Sequence, residues 1–263
     1  MFFLSYVLAY SYRWLRLRYF RSTKERKKMF FLSYVLTYSY LCKKIIHYIM
    51  TEQEFQDYIQ KYHKELEEIK ESAHALHEHV NQKYDKVHPY GFHLDMVVDS
   101  VFKYGHFVCA EERDVLPLFF GAYYHDSIED ARQTYNDVNK IAHRWMGDRQ
   151  SYMATEIVYA LTNDKGRNRA ERAGEKYYRG IRKTAYAPFV KLADRLANIT
   201  YSCEHAKGDN GHMRKIYQME LPHFLDSITT ISKDPRFTLP HVMVDAILDA
   251  VIDSEPSVGK SDK

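Results

Sequence analysis

Turn-forming residues are scarce in this chain. It holds 10 glycines and 7 prolines in 263 residues, too few for the many turns of an all-β fold, so long helices are expected. Cysteine is scarcer still. Cys42, Cys109 and Cys203 are odd in number and have no Cys-x-x-Cys spacing. A disulfide framework is therefore not expected, and a reducing, cytoplasmic setting is. Long apolar runs are missing as well. The two longest, near the start of the chain, are about 10 and 13 residues, short of the about 20 that cross a bilayer. No A-x-A-like cleavage site follows them, so a secretory leader is not expected.

The net charge of +3 hides an uneven distribution. Residues 1–49 carry ten Lys/Arg and one acid, whereas residues 50–263 carry 28 basic and 34 acidic residues. An acidic body argues against general nucleic-acid binding. An anionic ligand must then be drawn by a local cluster or by a metal.

The first 49 residues differ from the rest in another way. MFFLSYVLAYSY (1–12) recurs as MFFLSYVLTYSY (29–40), with eleven of twelve positions identical. Two copies are too few for a solenoid. Three readings stay open: a basic, aromatic stretch on a membrane surface, a packed helical extension, or a duplicated segment outside the working protein. On the last reading Met50 is the natural start, because TEQE (51–54) is a capping box. The domain expected to work spans 50–253. Residues 254–263 read as a disordered tail.

From residue 51 the apolar positions recur at helical steps. Phe55, Tyr58, Ile59, Tyr62, Leu66 and Ile69 predict one helix running to about Gln82. Further helices are expected near 92–104, 111–127, 134–147, 150–162, 168–183, 186–206, 212–232 and 240–252. Thr134 with Asp137 resembles another cap. No alternating run suggests a strand. The expectation is an all-α, single-domain helical bundle with a metal site between helices.

The chemistry centres on YYHDSIEDARQT (123–134), which follows the apolar VLPLFFGAYY (115–124). Burying an imidazole and three carboxylates beside Phe119 and Phe120 costs several kcal/mol per uncompensated charge, and a divalent cation would compensate. His125 and Glu129 are four residues apart, as are Asp126 and Asp130, so each pair shares a helix face. Adjacent His125 and Asp126 do not, and both reach one metal only at a helix edge. Asp194, within FVKLADRLANI (189–199), is a second acid in apolar surroundings; by itself it reads as a salt-bridged helix carboxylate.

Three stretches together resemble the phosphohydrolases of the HD superfamily. The likeness is nearest to the hydrolase domain of RelA/SpoT-type alarmone enzymes and to the small alarmone hydrolases of the Mesh type. PYGFHLDMV (89–97) is similar to that family's PYxxHPxxVA, HDSIED (125–130) to its HDxxED, and ALTNDKGRNRAER (160–172) through VKLADRLANI (190–199) to its VTDDKxxxKxER and VKLADxLxN. The order agrees, and the likeness covers about residues 70–205. It implies His93, His125, Asp126 and Asp194 as metal ligands and Glu129 and Asp130 as the pair that orients or deprotonates water. It places Asn198 near the nucleotide, and Gln82 fits the family's HRxQxR-like run. Two His and two Asp suit Mn²⁺ by ligand type. The reaction implied is removal of the 3′-pyrophosphate from guanosine tetra- or pentaphosphate. Leu94, Val80, Tyr84 and Thr200 depart from the family pattern, the last three where basic residues are expected. Another nucleotide substrate, or a non-catalytic nucleotide-binding role, is therefore kept as the alternative.

Competing readings accompany these residues. The chain has fourteen histidines. His74, His77 and His79 read as a solvated helix face, and His88 and His106 rival His93 as the first ligand. Lys165, Arg167, Arg169 and Arg172 form a basic cluster that is either a solvated loop or a phosphate contact. Tyr123 and Tyr124 read as core, and Tyr201 is open.

Overall fold

The computed structural model describes residues 50–163, 166–205 and 209–253. The expectations for 1–49, Lys165 and 254–263 lie outside the described residues. The described chain is an all-α helical bundle. Among the described residues the strand-like pairing is a single bridge between Lys83 and Pro89, and no helix is long and apolar enough to cross a membrane.

The first helix, α1 (Glu52–Lys61), opens on the expected capping box. Thr51 Oγ1 accepts from the Glu54 N–H, and the Glu54 carboxylate accepts from the Thr51 N–H at 2.9 Å. The single helix expected to Gln82 is in fact two. It breaks at Tyr62, and α2 (His63–His79) follows. At the break Lys61 and Tyr62 both reach Glu112, the tyrosine at 2.8 Å. That tie to a distant residue leaves no trace in the periodicity. Beyond α2 the left-handed Asn81, at φ 54°, turns the chain away.

The remaining helices are α3 (Gly91–Tyr104), α4 (Val115–Tyr124), the short α5 (Ser127–Asp130), α6 (Tyr135–Ala142), α7 (Asp148–Leu161), the short α8 (Arg169–Arg172), α9 (Glu175–Lys183), α10 (Ala187–Glu204), α11 (Asp209–Ile228) and α12 (His241–Asp253). Two further expected helices are thus divided. The one expected over 111–127 gives α4 and α5, and the one over 168–183 splits before Gly174 into α8 and α9. The Thr134–Asp137 box at the start of α6 forms as expected.

Two helices form the centre. Every residue of α4 is buried, and it packs on α3 and α7; α10 packs on α3, α11 and α12. Phe119 and Phe120 are fully buried, each contributing about 2–3 kcal/mol of transfer free energy. Gly121 allows α7 to approach closely, because a Cβ there would lie 2.5 Å from Ile157 Cγ2. Tyr123 and Tyr124 are core, as expected. The solvated face expected on α2 is corrected at His77. Its ring is buried and stacks on Tyr90 at 4.5 Å, because α2 turns that side toward α3. His74 is half-buried against Asp95, and only His79 is exposed.

Candidate metal centre and its cleft

The site is built where α4 ends. An unbroken helix would splay His125 and Asp126 about 100° apart. Instead Asp126, at φ −103° and ψ 4°, leaves the helix between α4 and α5. Its Oδ2 then lies 2.9 Å from His125 Nε2, so two neighbours in sequence serve one point. The helix interruption thus supplies the edge that the adjacent pair needs. Tyr90 at the head of α3 secures the turn by donating its hydroxyl to Asp126.

His125 is oriented from behind. Its Nδ1 lies 2.8 Å from the Ala122 carbonyl oxygen, an arrangement in which Nδ1 donates and Nε2 is the nitrogen turned to the site. His93 comes from α3. Its ring lies flat against Tyr84, with centroids 4.9 Å apart and planes within 4°, and meets Tyr90 edge-on. This clamp brings His93 Nε2 to 3.3 Å from His125 Nε2. Asp194 enters from α10, with Oδ1 3.4 Å from His93 Nε2. The rival histidines are elsewhere: His88 pairs with Asp85 and stacks on Phe92, and His106 lies against Phe107.

Burial alone would raise both carboxyls and lower the imidazole. The neighbours reverse each direction. Asp126 is held below the usual carboxylate range by His125, and Asp194 by Lys191 and His93. His125 is pushed up to about 9 by Asp126 and Asp194. Lys191, buried and 2.9 Å from Asp194 Oδ2, is raised well above its ordinary value by that carboxylate. Asp130 goes the other way: burial and the nearby Asp126 both raise it.

The donor set fits a divalent cation. Two imidazole nitrogens and an Asp126 oxygen lie within 4.8 Å of one another, with Asp194 beside them. Two nitrogen lone pairs at 3.3 Å repel unless a proton or a metal lies between, and nitrogen with carboxylate oxygen is a ligand mix for the transition divalents.

Above this floor opens a cleft of about 560 Å³, lined by Asp126, Glu129, Asp130, Arg172, Asp194 and Asn198 among others. Six of the sequence-expected residues therefore share one cavity, the two metal-facing aspartates among them; His93 and His125 do not line it. Glu129 is held at the mouth by Asn163, whose backbone N–H and Nδ2 both donate to its carboxylate. Asn198 Nδ2 donates to Asp194 Oδ1 at 2.5 Å, and its Oδ1 accepts from Tyr84. Gln82 does not line the cleft; its backbone N–H donates to the His77 carbonyl. Arg167 pairs with Glu171 and is exposed, the solvated-loop reading. Arg169 opens α8, one turn before Arg172 at the rim.

Several residues with a part in the site escape the sequence reading. Lys191 has a usable signal, since it stands three residues before Asp194 on one helix face. Tyr84 and Tyr90 have none, because they act through stacking and a hydroxyl across helices. Arg195 is buried in the cleft wall. It pairs with Glu220 at 3.1 Å and lies over the rings of Tyr217 and Phe224. No family model, no curated protein and no solved structure matches the chain.

Proposed function

We propose that this chain is a metal-dependent phosphohydrolase of the HD type acting on a nucleotide, with guanosine tetra- or pentaphosphate as the preferred substrate and the 3′-pyrophosphate as the group removed. The observation that carries the reading is the convergence of His93, His125, Asp126 and Asp194, from three separate helical segments, under a cleft lined by further acids. Those four residues would hold the cation, most suitably Mn²⁺. When bound, it would supply Lewis acidity toward water and toward a phosphoryl oxygen.

The chain's own residues do the rest. Asp126, Glu129, Asp130 and Asp194 give the cleft a negative lining, with Lys191 the ammonium paired to Asp194. A polyanionic nucleotide is repelled by that lining until a cation offsets it, so metal and substrate bind in concert. Asp130, with its carboxyl raised by burial and Asp126, is suited to accept a proton from the attacking water. Glu129, fixed by two donors from Asn163, orients that water. Arg172 at the rim offers a bidentate contact to phosphate. Hydrolysis consumes one water and yields pyrophosphate with GDP or GTP.

A second reading rests on Tyr84. The position where the family carries a basic residue is an aromatic ring stacked on His93. That substitution favours a different nucleotide, such as a nucleoside monophosphate, a dNTP or the 2′-phosphate of NADPH. The deciding experiment is pyrophosphate release from guanosine tetraphosphate by the full chain, with and without Mn²⁺. Mn²⁺-dependent release is the expected result. A chain that binds Mn²⁺ but releases nothing would retire the alarmone assignment and leave the second reading.

A further inference from the structure

The two oxygens of Asp194 face different neighbours. Oδ1 lies 3.4 Å from His93 Nε2, on the side of the candidate cation. Oδ2 lies 2.9 Å from Lys191 Nζ, and Lys191 lines the cleft. A carboxylate set between two positive charges in this way is the arrangement of a bridging ligand in a two-metal centre, whose ions stand about 3.5–4 Å apart. We infer that the Lys191 ammonium occupies the place of a second divalent cation and so holds this centre to one. The inference rests on the hydrolase reading, in that it takes His93, His125, Asp126 and Asp194 as ligands of the first cation.

Three observations carry it. The first is the supply of ligands. Asp126, Glu129, Asp130 and Asp194 all line the cleft, and a single cation that already has two imidazoles and two aspartates does not need the other two acids as ligands. The second is how firmly the ammonium is placed. Lys191 stands three residues before Asp194 on one face of α10. Its side chain is 16% exposed, and its Nζ lies 5.8 Å from the centroid of the Tyr177 ring. Tyr177 is itself buried and anchored, its hydroxyl donating to the Leu161 carbonyl at 3.0 Å. The lysine is thus held at Asp194 by an ion pair on one side and an aromatic ring on the other. The third is that the other cations among the described lining residues are placed differently. Arg195 meets Glu220 at 3.1 Å and lies over Tyr217 and Phe224, and Arg172 is exposed at the rim.

An ammonium differs from a second metal in two respects. It carries one charge rather than two, and it has no open position at which water can bind and ionise. It can still donate to a phosphoryl oxygen held at the first cation. A simple counter-ion to Asp194 would do less: it would balance one carboxylate and leave the number of bound cations unchanged. The two roles part when the lysine is replaced. Loss of a mere counter-ion leaves one metal site, whereas loss of a stand-in leaves a vacated place with Asp194 Oδ2 facing it and the unused acids nearby.

The test counts Mn²⁺ on the full chain by equilibrium dialysis and by electron paramagnetic resonance, with no nucleotide present. Wild type binds one ion per chain at saturation. Lys191→Gln binds two, and its spectrum shows the coupling expected of ions about 4 Å apart. Lys191→Glu, which offers a further carboxylate, also binds two, and Lys191→Arg, which keeps the charge, returns the count to one. Wild type with two ions, or a folded Lys191→Gln and Lys191→Glu with one each, overturns the inference and leaves the hydrolase reading standing. If neither of those variants retains helical circular dichroism, Lys191 is a structural counter-ion and the inference falls. A wild type that binds no Mn²⁺ removes the metal-dependent hydrolase itself, and the inference with it. Counts of one and two in a chain without turnover keep the role of Lys191 and retire the substrate assignment.

Discussion

Asp114 and Asp126 bracket the same buried helix, α4, and behave in opposite ways. Asp114 is 1% exposed and accepts the Tyr186 hydroxyl at 2.6 Å. The nearest cation, Arg236, stands 3.9 Å away and is turned to Asp234, which it meets at 2.8 Å. Burial therefore wins, and the Asp114 carboxyl is raised despite the tyrosine. Burial penalises Asp126 as well, but His125 at 2.9 Å reverses it and holds the carboxyl low. At one end of α4 the surroundings disfavour the ionised carboxyl, and at the other they favour it. Burial of an acid is thus no sign of a site by itself; a buried acid kept ionised by neighbouring imidazoles is.

The largest test of that contrast is at the charged end. Asp126→Ala and Asp194→Ala should each abolish Mn²⁺ binding and lower turnover by more than about a thousand-fold, with helical circular dichroism retained. Full turnover in either variant breaks the assignment. Next comes Glu129→Ala, which should keep Mn²⁺ and lose about a hundred-fold or more in turnover. Loss of the metal in that variant would instead make Glu129 a ligand.

The third test uses pH. His77 is buried, with no hydrogen-bond partner among the described residues for either ring nitrogen, and burial lowers it to about 4. Its folded value lies below its unfolded one, so the unfolded chain takes up the proton first. Its contribution to stability is complete above about pH 6.5 and is lost as pH falls toward 4, by about 3 kcal/mol in all. Urea unfolding in EDTA at several pH values should therefore show a shallower acid limb for His77→Phe. An unchanged slope would place the acid sensitivity elsewhere.

The smallest effect belongs to the uncharged end. The fold already favours protonated Asp114, so its contribution is present at low pH and fades as pH rises through its raised pKa. Asp114→Asn keeps an acceptor for Tyr186 and should change stability at pH 7 by less than about 1 kcal/mol, with Mn²⁺ binding intact. A loss of several kcal/mol would show that the ionised carboxylate is required there after all.

Much of the fold was legible in the chain. The Thr51 and Thr134 boxes, the extents of α3, α7, α10 and α12 and the buried Tyr123–Tyr124 pair follow from local rules, because caps and apolar periodicity involve residues within a few positions of one another. The breaks were not legible. Tyr62 bends the chain toward Glu112, fifty residues away in sequence, and Asp126 leaves its helix for Tyr90 and His125. Of the candidate site, the ligand types and their order could be read. That Gln82 stays out of the cleft and Lys191 enters it could not, since both depend on how α2, α3 and α10 pack.

The sequence by itself therefore determined the helices, their caps and which residue types could bind a cation. Those are matters of spacing along one element, where 3.6 residues per turn fixes what shares a face. Only the tertiary structure decided that His93, among fourteen histidines, meets His125. It likewise decided that the chain breaks at Asp126, and that Tyr84 covers the His93 ring. Such convergence depends on the packing of helices distant in sequence, and a pattern within one helix carries no record of the helix it will face.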